Sequence, residues 1–138
     1  MGNQISKIKK MNFEDIQELK RYDNYILINT LDNSEQGCLI KGTTRAQDEV
    51  DKVEKMIKEQ GMIIIYGKNG NDEKIYEKYM QLIKLGHKKT YIYIGGLFEW
   101  LLLQDIYGYE NFPTTKTELD ILKFKAPSIL KTLLLTNR

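Results

Sequence analysis

Met62-Ile63-Ile64-Ile65-Tyr66, followed by Gly67-Lys68-Asn69-Gly70-Asn71-Asp72, is the stretch on which the fold turns. Apolar residues without a polar interruption, bounded by Gly61 and Gly67, read as a strand buried on both faces, the mark of a parallel sheet. The next six residues are two glycines, two asparagines, a lysine and an aspartate, the composition of a loop.

Helices are expected on either side of this strand. Residues 46–60 place Val50, Val53, Met56 and Ile57 on one face and Asp and Lys on the other, with Gly61 as the stop. Residues 73–85 turn Ile75, Tyr76, Tyr79, Leu82 and Ile83 inward and stop at Gly86. Further strands are expected at 25–28 and 91–94. Gly95-Gly96 break the latter, and helix resumes over 97–104. Near the start, Asn12 with Asp15 forms an N-cap pair for a short helix ending near Arg21. From Glu118 the apolar Leu119, Ile121, Leu122 and Phe124 follow, then Pro127 and a final turn with Leu130, Leu133 and Leu134. Alternating helices and short apolar strands predict an α/β fold, a mostly parallel central sheet with helices on both faces.

A chain of 138 residues has the length of one domain and buries roughly 68% of its unfolded surface. An apolar fraction of 41%, a charged fraction of 29% and only two prolines exclude disorder and low-complexity linkers. No apolar run approaches the ~20 residues of a membrane-spanning helix. Lys7, Lys9 and Lys10 are followed by Asn12 and Glu14, which is not a secretory signal. With 21 basic against 19 acidic residues the net charge is +2, too balanced to predict a nucleic-acid partner. Cys38 is the single cysteine, which excludes an internal disulfide and fits a reducing compartment. One cysteine and one histidine cannot build a structural zinc site, and neither metal nor cofactor is expected.

Met1-Gly2-Asn3-Gln4-Ile5-Ser6-Lys7 fits the N-myristoylation pattern, with Gly2 as acceptor and Ser6 at the required place. One myristoyl chain binds membranes with K on the order of 10⁴ M⁻¹, so a second signal is needed. Lys7, Lys9 and Lys10 lie in an acid-free stretch, and each could add about 1 kcal/mol at an anionic leaflet. The competing expectation is an unmodified N-terminus. The resulting division is a flexible segment 1–11 carrying the acylation motif, then a domain over 12–138 with a C-terminal helical extension.

Three further segments carry a resemblance: Ile26-Leu27-Ile28-Asn29, Leu39-Ile40-Lys41-Gly42-Thr43 and Gly95-Gly96-Leu97-Phe98-Glu99-Trp100. Their order and spacing around the Ile-Ile-Ile-Tyr strand and its six-residue loop resemble the rhodanese family. Gly95, Gly96 and Trp100 match its Gly-Gly-x-x-x-Trp signature. The continuation through residue 115, including Phe112-Pro113-Thr114-Thr115, is similar to rhodanese-like proteins of protists and large viruses of eukaryotes. The resemblance implies a three-layer α/β/α domain and, in active members, a loop of Cys-x-x-Gly-x-Arg type after the buried strand. Gly70 matches the inner glycine. Gly67 stands at the cysteine position and Asp72 at the arginine position.

Sulfur transfer in that family passes through a persulfide on a thiolate, stabilised by loop amides and a helix N-terminus. Glycine cannot carry it, and a phosphatase reading of the loop also lacks its nucleophile. A sulfurtransferase using Cys38 is the alternative, although a free cysteine is more often a small buried hydrophobe. His87 reads as a solvated loop residue. The loop's glycines, with Lys68 and Asn69, could still hold an anion weakly, or residues 67–72 are a structural turn with Asp72 capping the next helix. The expected protein is a catalytically inactive binding or scaffolding module on the cytoplasmic face of a membrane. A protein partner could meet the aromatic stretch 107–115, which otherwise closes onto the domain.

Overall fold

The computed structural model describes residues 7–136. Four strands, β1 (Lys10–Met11), β2 (Tyr25–Asn29), β3 (Met62–Tyr66) and β4 (Thr90–Tyr93), form one sheet in the order β1-β4-β3-β2. Every pairing is parallel; β3 sits between β2, with Ile26 opposite Ile63, and β4, with Ile65 opposite Ile92. Parallel neighbours need crossover connections, and the helices supply them.

Strand alternation sorts the apolar side chains into two cores. Ile26, Ile28, Ile63, Ile65 and Ile92 face α2 (Glu49–Glu59) and α3 (Glu73–Lys84), meeting Met56, Ile75, Tyr79 and Leu82. Leu27, Ile64, Tyr66 and Tyr93 face α1 (Phe13–Glu18) and α4 (Gly96–Tyr107), packing with Ile16, Leu97, Trp100 and Leu101. Phe124, from a 3-10 turn over Ile121–Phe124, joins this second core. The architecture is therefore α/β/α around a parallel sheet. β3, covered on both faces and paired on both edges, is the most enclosed strand: Ile63, Ile64, Ile65 and Tyr66 have no exposed surface. Asn12 and Asp15 cap α1 reciprocally. A last helix, α5 (Ile129–Thr136), follows Pro127.

Several details differ from expectation. Residues 10 and 11 are not flexible: they form β1, fixed when the amide of Ile92 donates to the Lys9 carbonyl at 2.9 Å. Residues 46–48 form a 3-10 turn before α2, and Val50 is 69% exposed because it sits in the first turn, clear of the sheet. Gln60, not Gly61, ends α2, taking the left-handed conformation at φ 58°. Gly61 is needed for close approach, since a Cβ there would lie 2.5 Å from Met56 Sδ and 3.0 Å from the Asn24 carbonyl oxygen. His87 is buried, not solvated: its Nε2 lies 2.7 Å from the Gly61 carbonyl oxygen.

Candidate functional site

Residues 67–72 leave the C-terminal end of central strand β3, where parallel sheets place their ligands. Tyr66, the last strand residue, is anchored below the loop. Its hydroxyl accepts from the Ile40 amide at 3.1 Å and shares a hydrogen bond with Thr43 Oγ1 at 2.7 Å. Burial pushes its phenol well above the usual tyrosine range.

Gly67 has no room for a side chain. A Cβ there would stand 2.7 Å from Asp72 Oδ2, 2.8 Å from Thr30 Oγ1 and 2.9 Å from Ile75 Cγ2. The carboxylate of Asp72 is held in that space by its other duties. Oδ1 accepts from the Lys74 amide at 3.0 Å, capping α3, and Oδ2 accepts from the Thr30 hydroxyl at 3.3 Å.

The side-chain donors expected in the loop are engaged. Lys68 Nζ is 3.3 Å from Glu35 Oε1. Asn69 Nδ2 donates to the Phe124 carbonyl at 2.8 Å, and Asn69 Oδ1 accepts from the Asn71 amide at 2.8 Å. The loop carbonyls are used as well. The amides of Leu97 and Phe98, in the first turn of α4, donate to the carbonyls of Gly67 and Lys68 at 2.9 and 2.8 Å.

Gly96 permits this contact. Its φ is +67°, and a Cβ would lie 2.8 Å from both the Asn69 nitrogen and the Gly67 oxygen. Gly95 is crowded by Glu99, whose Oε1 accepts from the Tyr93 hydroxyl at 2.6 Å. Trp100 lies edge-on to Tyr93 and Phe112, with centroids at 6.1 and 5.0 Å, and its Nε1 donates to the Pro113 carbonyl at 3.1 Å. In this chain the three signature residues thus join α4 to the loop and to the core.

Cys38 is buried beside the strap formed by residues 113–124. Its thiol donates to the Lys116 carbonyl at 3.2 Å, and burial pushes its pKa up. The strap is laced to residues 39–41: Lys41 donates to the Pro113 carbonyl at 3.0 Å and Thr115 to the Leu39 carbonyl at 2.8 Å. A cavity of about 190 Å³ lies there, lined by Glu35, Cys38, Glu118, Lys123 and Phe124 among others. The Lys123 ammonium, hydrogen-bonded to Glu118, holds that carboxyl below the usual carboxylate range. The Asn69–Phe124 bond ties the strap to the loop. Among residues 107–115, Phe112 and Thr114 are buried, so the segment closes onto the domain, leaving Tyr107 and Tyr109 exposed.

Gly2 and Ser6 lie outside the described residues. Lys7, Lys9 and Lys10 are all exposed; Lys9 Nζ in addition donates to the Lys88 carbonyl and lies 5.2 Å from the Tyr91 ring centroid. No described helix is long and apolar enough to cross a membrane. Reading the sequence misses Thr30, Glu35 and Phe124 as loop neighbours. Thr30 had a signal, because it directly follows the strand beside β3 at its C-terminal end.

The rhodanese-like domain family matches residues 15–103. No curated protein matches the chain by sequence. Among solved structures, the BH2092 protein of Bacillus halodurans is similar with a TM-score of 0.59 at 16% identity, over 96% of this chain and 94% of that one. A yeast protein tyrosine phosphatase of the rhodanese family gives 0.55 at 12% identity, covering 83% and 96%. The As–Sb reductase of Leishmania major gives 0.55 at 13%, covering 96% and 100%. At these identities the likeness is one of fold.

Proposed function

The chain belongs to the rhodanese-like domain family, and from that premise we propose that it is a binding module with a silent catalytic loop, held at a membrane by an acyl group on Gly2. One observation carries the silent loop. The position that the resemblance gives to the nucleophile is Gly67, and the space a side chain would need holds the Asp72 carboxylate, the Thr30 hydroxyl and Ile75. A carboxylate there repels the anions that sulfur and phosphoryl transfer bring to such loops. The Phe124 carbonyl also takes up the Asn69 side-chain donor. The Gly2–Ser6 pattern and the exposed Lys7 and Lys10 support the tether. Tyr107 and Tyr109 are the partner-facing side chains of this reading.

The test is thiosulfate loading followed by cyanide, on protein from a eukaryotic host whose intact mass reports acylation. A silent module yields no thiocyanate and carries the acyl adduct on Gly2. Thiocyanate formation that disappears in Cys38→Ser would establish the sulfurtransferase alternative. An unmodified Gly2 from that host removes the tether.

A further inference from the structure

We propose that α5 lies flat on an anionic lipid surface, as a second membrane contact separate from the N-terminus. It rests on the tethering reading only in placing a leaflet beside the domain. Ile129, Leu130, Leu133 and Leu134 are 76%, 73%, 51% and 65% exposed. Their i, i+1, i+4, i+5 spacing sets them along one face of the helix. Leu122, 61% exposed, adds to the uncovered apolar surface of the same acid-free region.

Charge selects the occupant. Residues 121–138 contain no aspartate or glutamate, and their cations are Lys125, Lys131 and Arg138, together with Lys123, which is already paired with Glu118. An acid-free, basic and apolar segment complements an anionic leaflet, where each cation is attracted and the aliphatic face enters the headgroup boundary. A second copy of the same segment would instead meet like charge. Size points the same way. The eight described residues of the helix span about 12 Å, whereas a stable protein interface takes roughly 20–30 residues a side. The described helix is far shorter than the ~30 Å hydrocarbon core, which fits a segment lying on the surface.

The experiment uses the full chain carrying Gly2→Ala, which has no acyl chain, in flotation with phosphatidylserine-containing and with pure phosphatidylcholine vesicles. Binding is expected to the former and to be weak on the latter. Leu130→Asn with Leu133→Asn should weaken it about tenfold or more. Lys125→Glu with Lys131→Glu should abolish the preference for phosphatidylserine. These side chains are exposed, and an unchanged melting temperature confirms that each variant folds. The proposal is overturned if the leucine variant binds as its parent does. It is equally overturned if the parent self-associates in sedimentation through these leucines and ignores vesicles. The tether is judged apart from this, by whether the acylated protein binds more tightly than Gly2→Ala.

Discussion

Gly67→Cys puts a thiol at the position that the sequence resemblance gives to the nucleophile, and three contacts decide its fate. The new Cβ would meet Asp72 Oδ2 at 2.7 Å, Thr30 Oγ1 at 2.8 Å and Ile75 Cγ2 at 2.9 Å, all inside van der Waals contact. Overpacking of this kind costs about 1–3 kcal/mol, and for a chain of this size the melting temperature should fall by roughly 3–12 °C. Rotating Asp72 away would relieve the contact but release the Lys74 amide, a lost cap worth about 1 kcal/mol. The charge effect is larger. A thiolate about 4 Å from the carboxylate is repelled by roughly 4 kcal/mol at an effective dielectric of 20, which raises the thiol's pKa by about three. Alkylation by iodoacetamide across pH, in a Cys38→Ser background, reads this directly. The single variant should react slowly at neutral pH and form no thiocyanate from thiosulfate and cyanide. Adding Asp72→Asn should restore reactivity but not stability, because the amide fills the same space without the charge. Thiocyanate formation should need Asp72→Arg, in place of Asp72→Asn, beside Gly67→Cys. A thiol with the ordinary pKa of ~8.5 and an unchanged melting temperature in Gly67→Cys would refute both effects.

Gly96→Ala should lose about 2 kcal/mol or more in urea denaturation, because φ +67° and two backbone atoms at 2.8 Å leave a methyl nowhere to go. Phosphate should bind no better than about millimolar, given that repulsion of roughly 4 kcal/mol opposes at most ~2 kcal/mol from a helix terminus. Asp72→Asn should then sharpen the response of the Lys68–Asn71 amides in NMR titration, and unresponsive amides would reduce the loop to a turn. Tyr66 and Tyr93 are both raised above the usual tyrosine range, chiefly by burial. The folded state therefore keeps protons that the unfolded chain releases, so stability is full below pH ~10 and falls above it. Melting curves of Tyr66→Phe and Tyr93→Phe against the parent should show a shallower alkaline decline.

What can be read from the chain depends on how local the cause is. β3 is legible because a strand covered on both faces needs an unbroken apolar run, and Met62–Tyr66 has one. Asp72 as the α3 cap is legible because capping spans only two or three residues. Its second role is not: Thr30 reaches it from 42 positions away, and only the parallel pairing of β2 with β3 brings them together. Phe124 is hidden for the same reason, since its carbonyl meets Asn69 across 55 residues. Val50 and His87 mislead in opposite directions. Val50 has helical periodicity but precedes the first turn that touches the sheet. His87 lies among loop signals, yet its backbone amide closes onto the Leu82 carbonyl at 3.1 Å and its ring is drawn under α2 to Gly61.

β1 has a mechanical meaning. Any load on the chain ahead of residue 7 enters the domain through Lys10–Met11, a two-residue strand at the edge of the sheet. Its fastenings include the Ile92 amide on the Lys9 carbonyl at 2.9 Å, the Ile94 amide on the Met11 carbonyl at 3.4 Å, and the Lys9 amide on the Tyr79 hydroxyl at 3.2 Å. Pulled along the strand axis these bonds share the force in shear; pulled sideways they open one at a time, like a zip. Once β1 has peeled away, Thr90–Tyr93 becomes an open edge, a template for another strand. The direction of pull therefore sets whether the domain stays closed or offers β4 for pairing.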